Sequence, residues 1–201
     1  MQIYPDKIPE GVNIDSFEKG WVQSRVFMMR IICYIHDLYA CCPGRKSCLD
    51  VGPHLMGGTS LLKELHSPRS FTRLKLDVSS IELDDRFLSQ CRAIDPDAKY
   101  LIGNIYDHTD SFDIIIASHV VEHVPNPIDF IRRLQQLSRE WVIIACPWRE
   151  VPLTTAGHIN TIDKSFLTAV RAQNVQIYTD LSWGHDKECV IFRIPGHAKN
   201  D

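Results

Sequence analysis

A chain of 201 residues with 44% hydrophobic and 23% charged residues has the size and composition of one globular domain with a substantial core. Its formal net charge of -3 leaves no global basic surface, which excludes strong nonspecific nucleic-acid binding. No apolar run reaches the ~20 residues that a spanning helix needs, and Met1 to Lys7 lack the charged start and apolar core of a secretion signal. A cytoplasmic location without membrane attachment is expected.

Residues 1–15 read as an irregular arm. From Ser16 to about Ala40, Trp21, Phe27, Met28, Ile31, Ile32, Ile35 and Leu38 recur at helical spacing. This helix precedes the first strand, so it either covers a sheet edge or roofs a pocket, and its aromatic stripe reads as core. Cys41-Cys42 followed by Pro43 and Gly44 marks the stop. The seven cysteines are odd in number and form no C-x-x-C pair, and Cys48, Cys146 and Cys189 lie in or beside apolar runs. Buried free thiols are expected, not a disulfide framework.

Ser47 to Leu62 carries the strongest local signal: a short buried strand ending in Asp50 and Gly52, a glycine-bearing turn, then a helix from Thr59 to about His66. Phe71 to Asp77 reads as a second strand ending in an acid. Ser79 or Ser80 then caps a helix buried through Leu83, Phe87, Leu88 and Cys91. Ala98 to Gly103 is a third strand. Phe112 to Ser118 is nearly all apolar, as suits a strand covered on both faces. Asn126-Pro127 opens a helix to about Arg139, and Trp141 to Cys146 is the fifth strand.

Residues 147–162 hold no periodicity and form a long loop of the kind that serves as a lid. A helix over Asp163 to about Ala172 follows. Val175 to Leu181 and Cys189 to Ile194, with no helix between them, must pair antiparallel. The pattern predicts one α/β domain over 1–201, in which 1–44 are arm and helix, 45–146 the cofactor-binding half, and 147–201 the lid loop, helix and hairpin. Its sheet is Rossmann-like, mostly parallel, of about seven strands with an antiparallel last strand and helices on both faces. Four strand ends bear polar or glycine signals: Asp50 with Gly52, Asp77, Gly103 with Asn104, and Ser118 with His119. In a parallel sheet such ends share one edge, and Asp77 lies about twenty residues past the glycine turn, where an acid meets ribose hydroxyls.

The segments CLDVGPHLMGG (48–58), LKLDVSS (74–80), YLIGNIYDHTDSFDIIIASHVVEHVPNPIDFIRRL (100–134), WVIIACPW (141–148) and GHINTIDKSFLTAV (157–170) are similar, in order and wording, to the class I S-adenosylmethionine-dependent methyltransferases, in particular the small type 11 methyltransferase-domain branch. The resemblance implies S-adenosylmethionine as cofactor and places Asp50, Gly52, Pro53 and His54 in the loop under its methionine part. It gives Asp77 and Val78 to the ribose, Asn104 and Ile105 to the adenine, and Ser118 and His119 to the methionine and methyl group. The family loop reads acid-x-Gly-x-Gly-x-Gly; here His54 stands at the second glycine, and Gly57-Gly58 come late. Gly52, Gly57 and Gly58 also lack the spacing of a nicotinamide fingerprint.

A hydroxyl acceptor needs a base, and His119, Glu122, His123 and His158 are the candidates. Each has a structural alternative in loop bonding, capping or packing. His119 and His123 stand i, i+4 with Glu122 between them, but no third ligand is evident, so no metal is expected. Trp21, Trp148, Arg149 and Trp183 either line the acceptor pocket or pack. The expected acceptor is a small metabolite, sugar or natural product, methylated at O or N. The rival readings are an inactive cofactor-binding partner subunit and an RNA or protein methyltransferase using Arg132, Arg133 and Arg139. Nucleic acid is not an expected partner, and the oligomeric state is left open, a dimer included.

Overall fold

The computed structural model describes residues 14–85, 88–180 and 187–198. Seven strands make one sheet in the order β3-β2-β1-β4-β5-β7-β6, and the chain divides into two compact units, Met1–Asn104 and Ile105–Asp201. The first unit runs α1 (Ile14–Tyr39), β1 (Arg45–Val51), α2 (Gly57–Leu65), β2 (Lys75–Glu82), α3 (Leu88–Ile94) and β3 (Lys99–Ile102). The second runs β4 (Phe112–Ser118), a 3-10 turn at Val121–His123, α4 (Pro127–Leu137), β5 (Ser138–Pro147), α5 (Lys164–Ala169), β6 (Gln173–Thr179) and β7 (Glu188–Pro195). No described helix is long and apolar enough to cross a membrane.

In the first unit β1, β2 and β3 pair in parallel. Cys48, Leu49, Asp50 and Val51 are all buried, as expected of a strand covered on both faces. The apolar stripe of α1 is core: Trp21, Met28, Ile31, Ile32 and Ile35 are buried. Helix α2 begins at Gly57, two residues before the expected Thr59. Gly57 and Gly58 are therefore its first turn and the site of its packing on α1, not part of the loop. A Cβ on Gly58 would stand 2.8 Å from the Ser24 carbonyl oxygen of α1.

The second strand differs most from its expected course. It starts at Lys75 and ends at Glu82, and Phe71 is fully exposed. Inward-facing Leu76, Val78 and Ser80 carry the two-residue period past Asp77, and pairing with β1 runs from Arg45↔Lys75 to Val51↔Ile81. Ser79 and Ser80 are thus ladder residues and not caps. Leu83 is exposed, and Phe87 lies outside the described residues.

In the second unit β4 and β5 are parallel, and β7 enters between β5 and β6, antiparallel to both. Ile114, Ile115, Ile116 and Ala117 of β4 and Val142 to Cys146 of β5 are buried. Pro127 occupies the first turn of α4, where its missing N–H costs nothing, and Phe130, Ile131, Leu134 and Leu137 face inward. The helix stops at Leu137, short of the expected Arg139, because Ser138 already begins the ladder with β4. The Arg139 guanidinium binds Asp113 at 2.9 Å and the Ser111 carbonyl at 3.0 Å. Arg132 pairs with Asp129, and Arg133 donates to the carbonyls of Ile105 and His108. Arg133 and Arg139 hold structure, while Arg132 stays on the solvated face of α4.

Cys48, Cys91, Cys146 and Cys189 are buried, while Cys33, Cys41 and Cys42 are exposed.

Candidate functional site

At the carboxyl end of β1 the chain turns on Gly52, with φ 72°, and its N–H donates to the Ile81 carbonyl at 2.9 Å. His54 and Met56 follow with φ of 51° and 59°. These are the positions where the family pattern has its second and third glycines. The loop is left-handed at both positions without a glycine at either. Pro53 is buried, and its carbonyl takes the Met56 N–H at 2.9 Å, closing a tight turn.

Asp50 is buried, and the Thr59 hydroxyl at the start of α2 donates to it at 2.5 Å. Burial pushes its carboxyl up to about 7, against the Thr59 hydrogen bond and with a smaller push from Glu82.

The acid at the carboxyl end of β2 is Glu82. Its carboxylate takes the N–H of His54 at 3.2 Å and of Leu83 at 2.8 Å. Its carbonyl takes the N–H of Gly103 at 2.9 Å, which joins the ends of β2 and β3. Asp77 and Val78 stand elsewhere. Asp77 is opposite Ser47 near the amino end of the strand, half-exposed and paired with Lys99 at 2.8 Å, while Val78 is buried beside Cys48. Asp77, expected at the end of the second strand, thus lies five positions before the acid that ends it. Unbroken alternation through Ser80 was the signal that would have found Glu82. Asn104 ends this unit just after Gly103.

In the second unit Ile105 is buried, and β4 ends at Ser118, whose buried hydroxyl makes no hydrogen bond among the described residues. His119 follows in a left-handed conformation, φ 55°, held by its N–H on the Ala145 carbonyl at 2.7 Å. A bulky residue in that region is a costly backbone choice of the kind that gathers at functional sites. Its Nδ1 lies 3.4 Å from the Glu122 carboxylate, which is 1% exposed. His158, from the loop before α5, brings Nε2 to 4.0 Å from the same carboxylate oxygen. His123 stacks edge-on against His158, ring centroids 4.7 Å apart. The four candidate bases thus come together in one cluster.

The loop after β5 is tied down by Glu150. Its carboxylate accepts from His158 Nδ1, from the Thr155 hydroxyl at 2.8 Å and from the Thr155 N–H at 3.1 Å. Burial opposes its ionisation, but the His158 and Thr155 hydrogen bonds outweigh it and hold the carboxyl down at about 2. Asn160 clips the far end of the loop to the Val124 carbonyl at 2.7 Å, and Ile159 N–H binds the Glu122 carbonyl at 2.9 Å. No periodicity in the sequence marks Glu150 or Asn160 for these roles.

Trp21 is core in α1. Trp148 and Arg149 line an open groove of about 610 Å³ with Lys164, Leu167 and Arg171, the guanidinium of Arg149 lying over the Trp148 ring at 5.1 Å. Trp183 lies outside the described residues.

A mostly parallel seven-stranded sheet with β7 inserted antiparallel, and acids at the ends of β1 and β2, defines the Rossmann-like methyltransferase class of fold. Residues 49–145 match the family described as Methyltransferase domain. That stretch and the fold are similar to those of the class I S-adenosylmethionine-dependent methyltransferases. No curated protein matches it in sequence. Among solved structures, magnesium protoporphyrin IX methyltransferase from Synechocystis with bound S-adenosylhomocysteine is 11% identical, over 97% of this chain and 91% of that one, with a TM-score of 0.65. A putative methyltransferase from Bacillus halodurans is 14% identical, over 85% and 97%, with a TM-score of 0.59. The plantazolicin methyltransferase, in complex with S-adenosylhomocysteine, is 12% identical, over 90% and 85%, with a TM-score of 0.58. At these identities the likeness is one of fold.

Proposed function

We propose that this methyltransferase acts on a small-molecule acceptor at O or N, with His119 taking the acceptor's proton. The pairing of the His119 imidazole with the buried Glu122 carboxylate at 3.4 Å carries this reading. When bound, S-adenosylmethionine supplies a methyl group on a sulfonium and is left as S-adenosylhomocysteine. The first unit fits that cofactor by its donor set. Glu82 offers carboxylate oxygens suited to ribose hydroxyls at the end of β2, and Gly52, Pro53 and His54 form a turn beside it. Asn104 offers an amide to the adenine edge. In the second unit the family resemblance gives Ile105 to the adenine, and Ser118 and His119 to the methionine and methyl group.

The proton lost by the acceptor passes to His119, and the Glu122 carboxylate orients that ring and stabilises its charged form. Such a base contributes about 10²–10⁴-fold. The absence of a global basic surface and the use of Arg133 and Arg139 inside the fold, with Arg132 paired to Asp129, favour a small acceptor over RNA. The magnesium protoporphyrin IX and plantazolicin enzymes, similar in fold, act on compounds of that kind.

Methyl-labelled S-adenosylmethionine offered with separate pools of small metabolites, RNA and protein tests this. Label should enter the metabolite pool and fall sharply with His119→Ala. Label confined to RNA or protein, or no transfer by a chain that binds the cofactor, sinks it.

A further inference from the structure

We propose that Glu122, His123 and His158 bind a divalent transition-metal ion of the zinc type. Each offers one ligand atom, and the three atoms lie within 4.8 Å of one another. All three residues belong to the second unit, the first two on the turn after β4 and the third on the loop before α5.

Three features go beyond mere proximity. First, both imidazoles are anchored through the ring nitrogen that a ligating histidine uses for support. His123 Nδ1 donates to the Gly157 carbonyl at 2.9 Å, since a carbonyl can only accept, and His158 Nδ1 donates to the Glu150 carboxylate. In each ring the tautomer so fixed puts the lone pair on Nε2, the nitrogen through which such a histidine binds a metal. Second, Glu122 is 1% exposed, and neither carboxylate oxygen has a hydrogen bond among the described residues. A buried charge without hydrogen bonds is strongly disfavoured, and a bound cation is one of the few groups that offsets it. Third, the two segments are already joined. Ile159 N–H on the Glu122 carbonyl and the Asn160 amide on the Val124 carbonyl fix the donors from both sides before any ion arrives.

Ligand atoms about 2.0–2.2 Å from one ion stand roughly 3–4 Å apart, so the cluster must contract slightly. His123, which is exposed, is the residue with room to move. Two imidazoles and one carboxylate suit zinc, cobalt or ferrous iron rather than magnesium or calcium, which prefer oxygen alone. Three protein donors leave a coordination position for water or for an acceptor oxygen or nitrogen. In that last respect the inference rests on the proposed function and makes its acceptor a metal ligand. The third ligand not evident in the sequence is His158, 35 residues beyond His123 and invisible to spacing rules.

The test uses the full-length, tag-free chain, stripped with chelator and titrated with cobalt(II) and zinc(II). One equivalent of cobalt should bind and give visible d–d absorption, and zinc should displace it. His123→Ala and His158→Ala should each weaken binding about 100-fold or more, and Glu150→Gln, which touches only the support, about 10–100-fold. His36→Ala, in the first unit, should bind as the parent does. His123 is exposed, so its variant keeps the fold and the test survives even where His158→Ala does not fold. Equal cobalt binding by the parent and His123→Ala overturns the site, as does the lack of a one-equivalent ion in the parent. Calorimetry with S-adenosylhomocysteine on the same metal-free samples keeps the two readings apart. Cofactor binding without metal binding sinks only the metal site. Metal binding without cofactor binding sinks the methyl-transfer reading and leaves the metal site standing.

Discussion

Gly57 of α2 lies so close to Trp21 of α1 that a Cβ placed on it would stand 2.4 Å from the Trp21 carbonyl oxygen. The obstacle is backbone, which cannot swing aside as a side chain can. Gly57→Ala should therefore force the two helices apart and destabilise the protein by about 2–3 kcal/mol, as overpacking of a tight core does. Urea unfolding checks this. A change below 0.5 kcal/mol would mean that α1 is not seated on α2 as described.

The exchange of Asp77 for Glu82 makes a second, sharper prediction. Glu82 touches the loop after β1, whereas Asp77 makes a surface pair with Lys99. Glu82→Gln should weaken S-adenosylhomocysteine binding by about 10-fold or more, the loss expected when charge-assisted hydrogen bonds become neutral ones. Asp77→Asn should leave affinity unchanged and shift stability by less than about 1 kcal/mol, since exposed ion pairs contribute little. Calorimetric titration of both variants decides it, and the opposite ranking would return the ribose to Asp77.

These two cases show what the sequence could disclose. Buried strands such as β4 read cleanly because burial on both faces demands an apolar run, here Ile114 to Ala117. Strand β2 misleads because its outward-facing Asp77 looks like a terminus, when it is one polar position in a period-two pattern. Gly57 and Gly58 look like loop glycines because helix contact and ligand approach both favour the same small residue. His119, Glu122 and His123 are visible as neighbours in sequence. Their association with His158 and Glu150 comes from the path of an aperiodic loop, which no spacing rule encodes.

His54 offers a third test. Its φ of 51° is one that glycine adopts without strain, and its side chain is exposed. His54→Gly should raise stability by roughly 1 kcal/mol through relief of the left-handed backbone, partly offset by the greater freedom of the unfolded chain. It also restores the glycine of the family pattern. Thermal unfolding reads the effect, and a loss of more than 1 kcal/mol would show that the His54 side chain contributes packing of its own.

Asp50 makes the stability of the cofactor-free protein depend on pH in a direction opposite to that of a salt-bridged aspartate. Its folded pKa, raised by burial to about 7, exceeds the ordinary aspartate value of 3.8, so between those pH values the folded state holds a proton that the unfolded state has lost. The stability linked to this group is complete below about pH 4 and is lost as pH rises through about 7, a change of up to ~4 kcal/mol. Asp50→Asn cannot ionise, and its amide oxygen still accepts the Thr59 hydroxyl. Urea titrations at pH 5 and pH 8 should thus show the variant gaining on the parent by a few kcal/mol at the higher pH. If the difference between the two proteins is the same at both pH values, Asp50 is ionised throughout, and its carboxylate has a cationic partner or water that offsets its burial.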